Sequence, residues 1–355
     1  MKNGIITIEH TADFREFDEI IDVRSPSEFA EDHVPGAINR PVLSDDQRVE
    51  IGTIYKQHSP FHAKRIGAAY VAENIAHHLV HSFDNRPKNW RPLIMCWRGG
   101  QRSGAMTLIM RKIGWDATQL HGGYKDYRKL VVGELSDLPR HLTFKVICGP
   151  TGSGKSRVLQ ALAQQGQQVL DLEELACHKG SVLGVLPEAK QPSQKMFETI
   201  LLGALHHFDP DRPVFVEAES RKIGSIHLPD TLIETIRAGD CISIDAAFEA
   251  RVDFLLRDYD YFIAAPSWLN SRLNELRNLQ SRETIERWKD HVNNGQWAAL
   301  VSELLELHYD PLYLRSQNRN FTSLGATTNL ATKDLTPAGI EALAEQIISD
   351  CSTPA

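Results

Sequence analysis

The chain has 355 residues, of which 42% are hydrophobic and 24% charged, and its formal net charge is −7. That length suits two domains, and the composition is that of an ordinary globular protein without a run of the ~20 apolar residues that cross a bilayer. The acidic balance does not advertise nucleic-acid binding, although phosphate contacts need only a local basic face.

Residues 1–10 lack a basic flank followed by an apolar stretch, so no secretory signal is expected and the chain reads as cytoplasmic. Residues 19–23 (EIIDV) read as a buried strand and 26–31 as a short helix. Helical spacing covers 66–82, a second buried strand covers 92–96 (PLIMC), and an apolar helix covers 103–113. A turn and a polar helix follow at 122–130. Strand, helix, strand order implies a parallel sheet with helices on its faces. Residues 132–142 hold Gly133, Pro139 and mixed charges, which suits a linker. A new strand at 143–148 (TFKVIC) leads into a glycine-rich turn and a helix over 157–165. Residues 213–216 and 240–244 read as further strands, and 267–307 as mostly helical. The expected boundary lies near residue 138, giving domains over 1–137 and 138–355.

The five cysteines, Cys96, Cys148, Cys177, Cys241 and Cys351, are scattered and odd in number, which argues against a disulfide framework and for a reducing cytosol. No Cys-x-x-Cys pair or His/Cys cluster suggests zinc. Basic residues gather at Arg98, Arg102, Arg111 and Lys112, again at Lys125, Arg128 and Lys129, and from Arg272 through Arg277, Arg282, Arg287 and Lys289. Most of these read as solvated helix faces.

Residues 149–156 (GPTGSGKS) match the phosphate-binding loop pattern in full, between an apolar strand and a helix. Gly149, Gly152 and Gly154 let backbone N–H groups of the loop, including those of Thr151 and Ser153, turn toward one anion. The helix N-terminus adds its partial positive charge. Lys155 supplies a mobile ammonium, and Ser156 is placed to hold a magnesium ion where one is used. The acidic partner is less typical. Glu217 and Glu219 stand where an Asp is more usual, and Asp171 is another candidate. The loop alone fits a nucleotide or the diphosphate of another molecule.

Residues 95–104 (MCWRGGQRSG) sit between a buried strand and a helix. Amides of such a loop, with the helix dipole, stabilise negative charge on the Cys96 sulfur or on a group bonded to it. Arg98 and Arg102 add positive charge, and Gly99 and Gly100 permit tight curvature. Two chemistries use this layout: carriage of sulfur or selenium on Cys96, and phosphate-ester hydrolysis through the Cys-x5-Arg spacing of Cys96 and Arg102.

Residues 22–29 (DVRSPSEF), 33–39 (HVPGAIN) and 120–124 (LHGGY) resemble the rhodanese domain signature, over roughly 10–135 of the chain. The Asp22 to Arg24 strand end and the turn after Val34 read as structural. Common sulfurtransferase loops are one residue shorter than Cys96 to Arg102, so this one makes a wider pocket. A rhodanese domain joined to a P-loop domain, with residues 96–102 and 149–156 and the stretches 171–181 (DLEELACHKGS) and 191–194 (QPSQ), resembles the tRNA 2-selenouridine synthase family. The resemblance covers nearly the whole chain. It implies an α/β protein, with an N-terminal rhodanese-like parallel-sheet domain and a C-terminal P-loop NTPase-like α/β domain with a helical extension. It implies replacement of sulfur by selenium in wobble 2-thiouridine of tRNA, with selenophosphate as donor and an S-geranyl intermediate made from geranyl diphosphate. Both donors are substrates; no tightly bound cofactor is expected, and an enzyme that supplies selenophosphate is an expected partner.

Further candidates are His178, Lys179 and Ser181, for phosphate or RNA; Arg221 and Lys222, at the end of a strand; Arg251 and Arg257, which can close over a diphosphate; and Trp97, which can stack on a base. Tyr309 to Tyr313 has no assigned role. Two competing readings remain: an oxyanion-sensing module fused to a nucleotide switch, and a phosphatase or sulfurtransferase fused to an ATP- or GTP-dependent P-loop module.

Overall fold

A computed structural model describes residues 4–181, 183–185, 190–320 and 328–352, with side chains omitted for 316–320 and 352. In chain order the first half runs β1 (Ile5–Ile6), β2 (Glu19–Asp22), α1 (Pro26–Glu31), β3 (Ile38–Asn39), α2 (Asp45–Gln57), α3 (Pro60–His81), β4 (Pro92–Met95), α4 (Gln101–Ile113), β5 (Thr118–Leu120) and α5 (Gly123–Asp137). Then come β6 (Phe144–Cys148), α6 (Lys155–Gln164), β7 (Gln168–Leu170), α7 (Leu172–Leu175), α8 (Gln194–Leu205), β8 (Val214–Glu217), β9 (Lys222–Ile223), β10 (Ile226–His227), α9 (Asp230–Ala238) and β11 (Asp240–Ala246). The last part is α10 (Phe248–Asp258), α11 (Asp260–Ala264), α12 (Pro266–Leu273), α13 (Arg282–Asn293), α14 (Trp297–Leu304), α15 (Asp310–Asn320), β12 (Thr328–Thr332) and α16 (Pro337–Ser352). Among the described residues no helix is long and apolar enough to cross a membrane.

The chain forms two compact units. One holds Met1–Leu135 with Pro192–Gly203, and the other Ser136–Gln191 with Ala204–Ala355. Most of α8 therefore belongs with the first unit, a long-range placement that composition does not signal. Thr199 Oγ1, on α8, donates to the buried Asp32 carboxylate at 2.8 Å. Arg128 pairs with both Asp32 and Glu198.

The first unit is built on a parallel five-stranded sheet in the order β1-β5-β4-β2-β3. Strand β4 is buried along its whole length, so it reads as an uninterrupted apolar run rather than an alternating one. The second unit has a parallel sheet in the order β12-β11-β6-β8-β7. Helix α6 packs Val158, Leu159 and Leu162 into its core with Ile147, Phe215 and Ile244. Helices α11 to α14 bury Leu269, Leu273, Trp288 and Leu300 in a separate cluster, the helical extension.

Two expectations need correction. Residues 132–142 are not a linker, because α5 continues to Asp137 and a 3-10 turn, Leu138–His141, follows. Val131 and Leu135 keep the apolar stripe of α5 facing the core. Gly133 lies where a Cβ would meet nothing within 4 Å, so it costs only its propensity, about 1 kcal/mol. The cysteines are not all unpaired. Cys148 and Cys241 form a disulfide, since β6 and β11 are neighbours and bring their Cα atoms to 6.2 Å.

Candidate active sites

Both sheets carry their chemistry at the carboxyl end of a strand, where open parallel sheets bind ligands. In the first unit β4 delivers Cys96 into the loop before α4. The sulfur is buried, accepts the Gly100 N–H at 3.3 Å and lies 3.1 Å from Ser103 Oγ. The loop is held from behind by the turn at 120–123. Tyr124 N–H donates to Cys96 O at 2.8 Å and Lys125 N–H to Trp97 O at 3.0 Å. Gly99 and Gly123 have φ of +60° and +59°, and a Cβ on either would collide with backbone, so glycine is required at both.

Gln119 is a residue the sequence reading missed. Its amide donates to Gly99 O at 2.6 Å, Gly100 O at 3.1 Å and Ser103 Oγ at 3.0 Å, which fixes the curvature of the loop. Nothing in its own neighbourhood of the chain signals this, because the loop it braces is 16 to 20 residues away.

Arg102 does not present an unengaged cation. It pairs with Glu28 at 2.8 Å. Burial works to raise the Glu28 carboxyl, but the Arg102 bond and charge hold it below the ordinary range. Arg98 is exposed. Trp97 packs its ring 5.3 Å from Tyr124, with Lys195 Nζ 6.0 Å from the indole centroid. The rhodanese-like signature does structural duty. Arg24 and Asp22 are fully buried and paired at 2.6 Å, with the guanidinium 3.8 Å from the Tyr124 ring centroid.

In the second unit β6 runs into the loop 149–154 and α6 begins at Lys155. Gly149, Gly152 and Gly154 have φ of +147°, +81° and +81°. Ser156 Oγ donates to Glu217 Oε2 at 2.9 Å, and Lys155 Nζ lies 3.4 Å from Glu217 Oε1 and 3.3 Å from Pro150 O. Parallel pairing of β6 with β8 sets Ile147 beside Glu217, so Glu217 stands in the acidic position of the neighbouring strand. One oxygen from each of Glu173, Glu217 and Glu219 lies within 4.8 Å of the others. Burial and then the Glu217 charge raise the Glu173 carboxyl to about 7. The same two causes push Glu219 well above its ordinary value.

The remaining candidates separate. Asp171 caps α7 by accepting the Glu174 N–H at 2.9 Å, and burial raises its carboxyl. His178 is buried in a short bridge with Val185, which lowers it. Neither lines the phosphate cradle. Arg221 is an exposed partner of Asp230, and Lys222 is exposed on β9. Arg251 is a buried buttress: its Nε donates to Thr151 O at 2.9 Å and its guanidinium pairs with Asp310 at 2.6 Å. Arg257 donates to Leu335 O. Lys179 does line the cradle, held by Asp258 at 2.6 Å above the Tyr259 ring.

An apolar pocket with about 680 Å³ of empty space, part of it open to solvent, adjoins the cradle and shares Thr151, Ser181, Leu255, Tyr259 and Tyr309 with it. Phe262, Leu269, Leu300 and Leu304 supply much of the remaining wall. Tyr309, without a role in the sequence reading, closes the junction and donates to Ser181 Oγ at 3.4 Å.

The rhodanese-like domain model matches residues 9–130, and the model described as tRNA 2-selenouridine synthase AAA domain matches residues 142–266. The chain is 36% identical to a tRNA 2-selenouridine synthase of Nitrosomonas europaea, over 90% of this chain and 94% of that protein. The chain belongs to the tRNA 2-selenouridine synthase family. Another member, from Alcanivorax borkumensis, is 32% identical over 83% of this chain and 88% of its own length. The N-terminal domain of a putative ATP/GTP binding protein from Clostridium difficile is 34% identical, covering 36% of this chain and 98% of that one, with a TM-score of 0.32. As a member of the family the chain is an α/β enzyme of tRNA modification, with a rhodanese-like and a P-loop domain.

Proposed function

We propose that the chain converts wobble 2-thiouridine of tRNA to 2-selenouridine in two steps, geranylation at the P-loop and selenation at the Cys96 centre. The observation that carries this is the apolar pocket beside the phosphate cradle. Among its described lining residues only Thr151, Ser181, Tyr259, Trp297 and Tyr309 have polar side-chain atoms, a poor match for a ribose and base and a good one for a branched hydrocarbon chain.

In the first step the thiouridine sulfur attacks C1 of geranyl diphosphate. The C–O bond breaks, its electron pair leaves with diphosphate, and the base loses its N3 proton. Lys155 and the loop amides receive the departing anion. Ser156, Glu217 and the neighbouring carboxylates are hard oxygen donors that fit a magnesium ion, which would offset the charge of the diphosphate. Alkylation makes C2 more electrophilic and turns its sulfur into a thiolate leaving group.

In the second step selenium held at the Cys96 centre attacks C2. The C2–Se bond forms, the C2–S bond breaks, and geranylthiolate leaves with the electron pair and takes a proton. Selenophosphate carries selenium at the selenide level, so hydrolysis of its P–Se bond afterwards leaves selenium on C2 without a redox partner. Carriage on Cys96 as a selenopersulfide would require a two-electron oxidant. An enzyme that makes selenophosphate acts upstream, and the reaction belongs to the cytoplasm with its tRNA. The pairing of Arg102 with Glu28 weighs against the phosphatase reading, which needs that guanidinium for phosphoryl oxygens.

The test is mass spectrometry of wobble nucleosides from cells that lack the native gene and carry either the intact chain or its Cys96→Ala variant. The intact chain should yield 2-selenouridine, and Cys96→Ala should accumulate S-geranyl-2-thiouridine without selenium. Selenouridine in the variant overturns the assignment of selenation to the Cys96 centre, and absence of both products with the intact chain overturns the proposal.

A further inference from the structure

The first unit holds a second apolar pocket, with about 1340 Å³ of empty space open to solvent. Its walls come from α2, α3 and α4 and include Ile51, Tyr55, Ala68, Ala72, Ala105 and Ile109. Small side chains on α3 and α4 make the hollow. Gly67 belongs to it too, since a Cβ there would lie 3.3 Å from Ile51 Cδ1. Helix α2 has no fully buried residue, and Tyr55 remains 54% exposed, so these helices leave apolar surface uncovered where a core would close it.

Two features tie this hollow to the chemistry of Cys96. Gln101 and Arg102 line it and belong to the same helix start whose Gly100 N–H and Ser103 hydroxyl hold the Cys96 sulfur. Arg48 and Lys64 set two cations among the apolar lining, beside an Arg102 already paired with Glu28. Apolar walls with basic side chains among them suit a hydrocarbon tail attached to a polyanion.

We infer that this pocket takes the geranyl chain of S-geranyl-2-thiouridine tRNA while selenium replaces sulfur at C2. This rests on the two-step reading above and gives the first unit its own site for the alkyl group. As the C2–S bond breaks and its electron pair leaves with sulfur, the pocket retains the chain of the departing geranylthiolate until it is protonated and released. It thereby selects geranylated over unmodified or shorter-tailed tRNA for selenation.

The experiment measures selenation of full-length tRNA bearing S-geranyl- or S-methyl-2-thiouridine, by the intact chain and by Ala68→Phe and Ala72→Phe. Both alanines are exposed positions of α3, where a phenyl group can fill the hollow without entering the core. The intact chain should prefer the geranyl substrate at least tenfold in kcat/KM, and each variant should cut that preference to about twofold while making S-geranyl tRNA at the normal rate. Geranyl methyl sulfide should compete with the geranyl substrate and not with the methyl one on the intact chain, a readout that needs no substitution. Retained preference in both variants together with no competition overturns the pocket while leaving the two-step reading intact. Failure of the intact chain to make or consume S-geranyl tRNA overturns that reading instead.

Discussion

Replacing Lys155 with methionine removes the cradle's mobile cation and keeps its length. Among the described residues lining the cradle the lysines are Lys155 and Lys179, and Asp258 already holds Lys179 at 2.6 Å. Lys155 reaches Pro150 O at 3.3 Å and Glu217 Oε1 at 3.4 Å with its side chain 14% exposed, so it is poised and largely desolvated. One charge-assisted hydrogen bond to a diphosphate oxygen contributes about 1.5–3 kcal/mol. At about 1.4 kcal/mol per decade that is roughly 10- to 150-fold in affinity. Glu217 also loses its neighbouring cation, which places the expected loss toward the upper end. Calorimetry with geranyl diphosphate should show a Kd about 100-fold weaker, and geranylation below saturation should fall by a similar factor. Selenation of pre-geranylated tRNA should stay within about twofold. Equal loss of both steps, or an unchanged Kd, would refute the assignment of the loop to the alkyl donor.

Three further outcomes follow from particular contacts. The Glu173 carboxyl, raised to about 7, is neutral at pH 6 and ionised at pH 8, where it adds negative charge beside Glu217. Without magnesium, the affinity of Glu173→Gln for inorganic pyrophosphate relative to the unmodified chain should therefore climb from near parity at pH 6 to about tenfold at pH 8; a flat ratio contradicts this. Gly123→Ala should cost about 2 kcal/mol or more, because its Cβ meets Cys96 O at a positive φ, and should abolish selenation while leaving pyrophosphate binding in place. Arg24→Met strands the buried Asp22 carboxylate and should cost about 3–5 kcal/mol in chemical denaturation of the first unit; a cost under about 1 kcal/mol would show that the pair is not structural.

The parts of both sites that were legible in the sequence are those made locally. Glycine spacing, the strand before each loop and the helix after it announce Cys96 and Lys155 because backbone geometry there depends on neighbours in the chain. The partners that complete the sites come from afar. Glu28 reaches Arg102 across 74 residues and Arg251 reaches Thr151 across 100, so in the sequence Arg102 reads as a fixed positive charge beside Cys96 and Arg251 as a residue that can close over a diphosphate. Tyr309 had no motif to mark it and gains a role only where the helical extension forms an apolar pocket beside the P-loop. Helix α2 was missed for a different reason. Its start carries a Ser44–Gln47 capping box, a signal present in the sequence, but its apolar residues line an open hollow rather than a core and blur the helical period.

The claim at the centre of this account is that the P-loop cradles a prenyl diphosphate. Direct titration of the intact chain with geranyl diphosphate and with ATP, each with magnesium, tests it. Geranyl diphosphate should bind at least tenfold more tightly than ATP, and Leu300→Trp and Leu304→Trp in the adjoining pocket should weaken only the former. Tighter binding of ATP, indifferent to those two substitutions, would contradict it.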